Sequence, residues 1–236
     1  MGGPPGRLAG VRAVVTGASR GLGRAIAEAF ASEGATLVLT ATDETRLTSV
    51  ARACAERGVP PVLLALDLGD VDAAERVGDR AVAILGRVDV LVNNAGELGE
   101  RAPLAEASIE GVARVLDVGV VGTLALTQRV LAGMGEGGVV INVTSGAAGR
   151  PGWGAYAISR LALDGITRML RDELVDRGIR CVAINPGAMR TSMRAAAYPG
   201  EDPATVPHPS ARVAPFVAVA AGADPGWRVE AAEWND

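Results

Sequence analysis

The chain has 236 residues, 49% hydrophobic and 21% charged, which is enough apolar content for a sizeable core and excludes a disordered chain. Its 23 basic and 27 acidic side chains leave a net charge of −4, without the basic excess of a nucleic-acid or membrane-surface binder. Two cysteines without CxxC spacing, Cys54 and Cys181, and a single histidine, His208, argue against a disulfide framework or a His/Cys zinc site, so no metal is expected.

Residues 1–8 carry one arginine and no apolar h-region, and read as no signal peptide. A first apolar strand is expected at 11–15 and a helix near 21–33. A second strand (36–40) leads to a helix near 43–57, and a third (61–66) to one near 70–85. The fourth strand (88–92) precedes a long helix near 103–134, and the fifth (139–143) another near 153–177. After a sixth strand (179–184) comes an irregular stretch, 198–210 (YPGEDPATVPHPS), whose four prolines forbid a regular helix or central strand. A helix near 208–221 and a weaker seventh strand (228–231) complete the pattern. Strands that are apolar throughout, rather than alternating, are buried on both faces. The expectation is α/β: one domain over 1–236, with a doubly wound parallel sheet of about seven strands and helices on both faces. The longest apolar stretches, such as 213–221, reach about half of the ~18–20 residues a membrane span needs, so a soluble, cytoplasmic protein is expected.

The first strand runs into Thr16-Gly17-Ala18-Ser19-Arg20-Gly21-Leu22-Gly23 and then a helix. Glycine is needed where a chain turns sharply off a strand, where backbone approaches a ligand, and where helix packs closely on sheet. The free N–H groups of the new helix then face an anion such as a pyrophosphate. The spacing is TGxxxGxG. With Asn93-Asn94-Ala95-Gly96 after strand four, Ser145 after strand five, Tyr156 opening a long helix and Asn185-Pro186-Gly187 after strand six, the chain resembles the short-chain dehydrogenase/reductase family from Arg7 onward. The segment 16–43 is similar to bacterial β-ketoacyl carrier-protein reductases, and 186–203 to a little-described group of bacterial oxidoreductases.

The resemblance implies a Rossmann fold and a nicotinamide dinucleotide. It also implies a cofactor set of Gly17, Ser19, Arg20, Gly21, Leu22, Gly23, Thr42, Asp67, Leu68, Asn94, Ala95, Gly96, Tyr156, Arg160, Pro186, Gly187, Met189 and Thr191. An acid ending strand two would bind a ribose 2′-OH and repel a 2′-phosphate. Here the strand ends Thr40-Ala41-Thr42 and Asp43 follows late, while Arg20 offers a guanidinium and Thr42 a hydroxyl. NADP is therefore expected in preference to NAD; the alternative is that Arg20 points to solvent and Asp43 selects NAD. Asp67 matches the family position that holds the adenine amino group, or caps the following helix, or both.

The family tetrad is Asn, Ser, Tyr and Lys. Tyr156 and Arg160, four residues apart, share one helix face. A phenol with an unperturbed pKa near 10 needs a neighbouring cation for acid/base work near neutrality. Ser145 would orient a substrate carbonyl. The catalytic set is thus Ser145, Tyr156 and Arg160. Arginine keeps the charge and can fork onto ribose hydroxyls, but does not release a proton; the chain has no lysine anywhere. The Asn position falls at Gly119, which offers no side chain though it tolerates a kink. The stretch from Ser145 to Tyr156 is about two residues short, which would shift Ser145. His208 is expected exposed, the cysteines to act as small hydrophobes, and Trp153 to cap its helix or wall the cleft.

Two functions follow. One is an NADP-dependent oxidoreductase acting on a small-molecule carbonyl or secondary alcohol, with Tyr156 as acid/base and 190–210 as substrate lid. The other is a dinucleotide-binding sensor or subunit with little turnover. Surplus apolar residues on the two long helices, including Leu116, Leu124, Leu163 and Met169, point to a homo-oligomer, a tetramer or dimer.

Overall fold

A strand that is apolar on both faces needs cover on both. The computed structural model of the chain, which describes residues 5–234, supplies that cover. Residues 1–4, half of the segment read as no signal peptide, and 235–236, the end of the expected domain, lie outside the described residues. Seven strands, β1 (Arg12–Thr16), β2 (Thr36–Ala41), β3 (Val62–Ala65), β4 (Val88–Asn93), β5 (Met134–Val143), β6 (Arg180–Asn185) and β7 (Arg228–Glu230), pair in parallel in the order β3-β2-β1-β4-β5-β6-β7. Along β1, Ala13 and Val15 enter one core and Val14 the other; Leu37 and Leu39 against Val38 repeat the division in β2. Helices α1 (Gly21–Ser32), α2 (Glu44–Ala55) and α8 (Ala214–Ala220) cover the first face. Helices α3 (Val71–Leu85), α5 (Gly122–Ala132) and α6 (Gly154–Glu173) cover the second. Phe30 and Phe216, wholly buried on the first face, each contribute roughly 1.5–3 kcal/mol of apolar transfer.

The second core is not wholly apolar. Asn93 Nδ2 donates to Thr127 Oγ1 (2.9 Å) and to Asn142 Oδ1 (2.8 Å), and Asn142 Nδ2 donates to Thr167 Oγ1 (2.9 Å). This ladder ties β4 and β5 to α5 and α6 directly beneath the strand ends. It also explains Asn93, a motif residue whose side chain turns away from any ligand.

The expected helix near 103–134 is not one helix. A 3₁₀ turn (Leu104–Glu106) precedes α4 (Ile109–Leu116), which starts where the Ser108 hydroxyl accepts the Gly111 N–H. A π-turn (Asp117–Val121) then inserts before α5, and Met134 already belongs to β5. Thr123 Oγ1 donates to the Val118 carbonyl at 2.9 Å, satisfying an acceptor that the wider turn frees. Residues 175–177 form a 3₁₀ turn stopped at Gly178 (φ +62°), so α6 ends at Glu173. Near 208–221, a 3₁₀ turn (Pro209–Arg212) and α8 replace one helix, with proline early in each. A short α7 (Ser192–Ala197) lies inside the expected lid and ends before the prolines. Leu163, counted with the surplus apolar residues, is 2% exposed and belongs to the core, while Leu116 and Leu124 are half-buried. Among the described residues no helix is long and apolar enough to cross a membrane.

Candidate active site

The strand order reverses at β1 and β4, and the connections leaving their carboxyl ends diverge. They open a cleft of about 440 Å³ there. Its floor is the turn from β1 to α1. Gly17 (φ +63°) sits so close to the Ala95 backbone and the Asn94 side chain that a Cβ would stand 2.9 Å from each. Asn94 is spent on this joint: its Nδ2 donates to the Thr16 carbonyl (2.8 Å), and the Asn94 and Ala95 N–H groups donate to Thr16 Oγ1 (3.0 Å each). Arg20 occupies the N-cap of α1 without a side-chain cap, so the first N–H groups of a twelve-residue helix stay free for an anion. Gly17, Ser19, Arg20, Gly21 and Leu22 line the cleft. Gly23 does not; a Cβ there would run into the Gly17 carbonyl, so it is a packing glycine and not a ligand contact.

At the end of β2, Thr42 lines the cleft and Asp43 does not. The Asp43 carboxylate caps α2 by accepting the Arg46 N–H (2.9 Å), and it pairs with the Arg46 guanidinium (3.0 Å). Arg20 is exposed, and its side chain makes no hydrogen bond or ion pair among the described residues. Asp67 and Leu68 lie further along the rim. Asp67 is not the cap of α3; Asp70 is, accepting the Ala73 N–H at 2.9 Å. Asp67 instead accepts from Gly69 N (2.8 Å) and from Arg114 Nη2 (3.0 Å), and the same guanidinium holds Glu97 at 2.7 Å. Slight burial alone would raise the Asp67 carboxyl, yet the Gly69 N–H and the Arg114 guanidinium hold it below the usual range. Arg114 was not among the expected site residues. It comes from α4, and nothing local in the sequence pairs it with either acid.

The opposite end is built by α6 and the strand ends of β5 and β6. Ser145, Tyr156 and Arg160 all line the cleft, with Asn94, Ala95, Gly96, Pro186, Gly187, Met189 and Thr191. Despite the shortened loop, Ser145 borders the same cleft as Tyr156. Its Oγ accepts the Ala147 N–H at 3.1 Å, which leaves the hydroxyl proton to donate. The guanidinium carbon of Arg160 stands 5.1 Å from the Tyr156 ring centre, and its Nη1 donates to the Val143 carbonyl at 2.9 Å. Asn185 fixes the Pro186-Gly187 turn: its Oδ1 accepts the Gly187 N–H (3.1 Å) and its Nδ2 donates to Glu230 (2.5 Å). Thr191 Oγ1 accepts the Arg194 N–H at 3.1 Å as the cap of α7, and its own proton is free.

The outer wall is aromatic and cationic. Trp153 makes no side-chain cap bond and lines the cleft, its ring 5.9 Å from that of Tyr156 and 5.8 Å from that of Tyr198. The Arg101 guanidinium lies 4.3 Å from the Trp153 ring centre and 5.0 Å from that of Tyr198, and it donates to the Ala197 carbonyl. Arg194 stacks on Tyr198 at 3.8 Å and is clamped by both oxygens of Glu201, whose carboxyl it holds below the usual range. Met193 adds an apolar surface. Arg101, Arg194 and Tyr198 escaped the sequence reading. The one signal was scarcity, since Tyr198 is one of two tyrosines in the chain. His208 is exposed, lies outside this cleft and caps a 3₁₀ turn through Ser210. Burial pushes the Cys54 and Cys181 thiols up to about 11 and about 12, so both remain neutral core residues.

Residues 12–202 match the short chain dehydrogenase family. The uncharacterized oxidoreductase YciK of Escherichia coli K12 is 37% identical over 204 residues, covering 84% of this chain and 81% of its own length. The 3β-hydroxysteroid dehydrogenase 2 of Eggerthella lenta is 35% identical over 192 residues, covering 79% and 74%. A short chain dehydrogenase from Shigella flexneri, solved with NADP, superposes with a TM-score of 0.91 at 32% identity over 97% of this chain and all of that one. One from Escherichia coli CFT073, solved with NADPH, gives 0.90 at 33% identity over 97% and 99%.

Proposed function

The chain belongs to the short chain dehydrogenase family, and from that footing we propose that it is a cytoplasmic NADP-dependent oxidoreductase interconverting a small-molecule carbonyl and its secondary alcohol. The observation that carries this reading is one cleft that joins the uncapped N-terminus of α1 to Ser145, Tyr156 and Arg160. The residues fit a dinucleotide phosphate. The glycine turn admits backbone-close contact, the Arg20 and Thr42 side chains are free at one end, and at the other the buried Arg160 guanidinium keeps an unpartnered Nε although its Nη1 is bonded to the Val143 carbonyl. The relatives solved with NADP and NADPH support the same choice.

When bound, the nicotinamide supplies or takes up the hydride. Ser145 spends its acceptor on Ala147 and donates its proton to the substrate oxygen, fixing that oxygen beside Tyr156. Tyr156 gives its phenolic proton to the oxygen in reduction and takes it back in oxidation. Arg160 sets a permanent positive charge beside the phenol as that proton moves. Reprotonation comes from water entering the cleft, since Gly119 offers no group for a relay. Trp153, Met189, Met193 and Tyr198 keep the substrate end dry, with 190–210 as its lid.

A screen of carbonyl compounds following NADPH absorbance tests the reading. With a substrate in hand, Tyr156→Phe loses about 10²–10⁴-fold in kcat while NADPH affinity is unchanged. An unaltered rate overturns the role of Tyr156. A protein that binds NADPH but turns over no carbonyl is instead the sensor or subunit, the reading that Gly119 and Arg160 favour as departures from the family tetrad.

A further inference from the structure

Arg160 is only 3% exposed, yet its hydrogen bonding is far from complete. Nη1 donates to the Val143 carbonyl at 2.9 Å; Nε is buried without a partner, and Nη2 makes no hydrogen bond among the described residues. A guanidinium taken out of water with donors unspent is expensive unless something completes it. Arg160 lines the cleft, so a bound ligand can do so.

The missing side chain at Gly96 is what admits so large a head group, and a side chain at Gly119 would start within van der Waals reach of it. A Cβ on Gly96 would fall far inside van der Waals contact with Nη2. A Cβ on Gly119 would stand 3.7 Å from Nη2 and 3.2 Å from the Ser159 Cβ. A lone methyl at 119 therefore needs only a small adjustment of Ser159. A carboxamide there has the guanidinium on one side and Ser159 on the other. Gly119 is buried in the π-turn, whose extra residue brings this backbone against α6.

We propose that residues 119 and 160 are a size-matched pair: the side chain missing at Gly119 is the room the Arg160 guanidinium fills. Gly96 closes the other side, and the donors so positioned hold the ribose hydroxyls at the nicotinamide end of the cofactor. Gly96 and Gly119 are positioning residues; Arg160 is the one that touches ligand. The inference rests on the cofactor reading above. It treats the loss of a side chain at 119 and the arginine at 160 as one change rather than two defects.

The test needs no substrate. NADPH affinity is measured by nicotinamide fluorescence for wild type, Gly119→Ala, Gly119→Asn, Arg160→Lys and Gly119→Asn/Arg160→Lys. Adenosine 2′,5′-bisphosphate, which lacks the nicotinamide ribose, is titrated alongside by calorimetry. Gly119→Asn and Arg160→Lys each weaken NADPH binding tenfold or more, Gly119→Ala by less than about threefold, and the double variant returns to within about threefold of wild type. The bisphosphate binds all five equally, an outcome that a general loss of structure would not give. The pair is overturned if Gly119→Asn binds NADPH like wild type, or if the two losses simply multiply in the double variant. Should Gly119→Asn not fold alone, recovery of its Tm by Arg160→Lys is the same coupling, and failure to fold in both backgrounds overturns it. Wild-type protein that binds the bisphosphate but not NADPH overturns the ribose role of Arg160. Binding neither overturns the cofactor reading and the pair with it.

Discussion

The carboxylate of Asp43 is committed to its own helix through the Arg46 N–H and guanidinium, so no acid at the end of β2 faces the cleft. Arg20 and Thr42, both exposed on the rim, are left to meet whatever the ribose 2′ position carries. A charge-assisted contact to a phosphate contributes roughly 1.5–3 kcal/mol, or about ten- to a hundredfold in affinity. NADPH therefore binds more tightly than NADH by that factor, and Arg20→Ala removes most of the preference by weakening NADPH alone. Fluorescence titration of both cofactors checks it, and equal affinities in the wild type would sink the prediction. Ser145, Tyr156, Arg160 and the glycine turn were legible in the sequence because each follows a strand or opens a helix at a fixed spacing. Arg114, Arg101 and Tyr198 were not, because they reach the cleft from elements that no short-range pattern links to it.

At the scale of elements, alternation of apolar strands and helices was enough to place all seven strands, since burial on both faces leaves runs such as Ala13–Val14–Val15 without polar interruption. The break between α4 and α5 was not readable that way. The buried Val115, Val118 and Ala125 continue a helical apolar spacing (i, i+3, i+10) through the π-turn, and the departure from regular helix lies in backbone bonding: the Gly122 N–H reaches back to Asp117. The same limit applies to β5. It begins at Met134, opposite Val88, and then shifts register before Val139 pairs with Val90; the intervening glycines carry no strand signal. The prolines made 198–210 readable as irregular, but no such signal marked α7 just before it, which Thr191 caps and Arg101 holds at the Ala197 carbonyl. Both are side chains acting on backbone groups, and hydropathy does not record them.

The whole molecule has an unusual titration range, because a chain without lysine leaves few groups to ionise between about pH 9 and 12. Two of them are the buried thiols, raised to about 11 and about 12 by desolvation. A raised thiol favours the folded state fully below its unfolded value near 8.5, and that contribution is lost as pH climbs through the folded value. Between those limits the unfolded chain releases protons that the folded one keeps, so stability falls. The Tm accordingly drops from pH 8.5 to 10.5, and Cys54→Ala/Cys181→Ala shows a shallower drop; parallel slopes in the two proteins would refute this assignment.

The surface that remains is on α6. Leu161 and Met169 are 56% and 62% exposed, eight residues apart on one face, and exposed Gly165 lies midway between them. Nothing stands within 4 Å of a Cβ built on Gly165. An exposed glycine inside a twenty-residue helix costs about 1 kcal/mol relative to alanine in a monomer. The cost is offset if a second helix approaches its backbone closely, and Val121, the last residue of the π-turn that packs against α6, is a further exposed apolar side chain. The self-complementary solution is a dyad pairing this face with its copy, giving a homodimer or, with a second such contact, a tetramer. Light scattering at micromolar concentration then returns an even multiple of the chain mass, and Met169→Arg lowers it. Gly165→Ala separates the explanations: it weakens association if a partner helix sits there, and raises the Tm of an unassociated chain if none does.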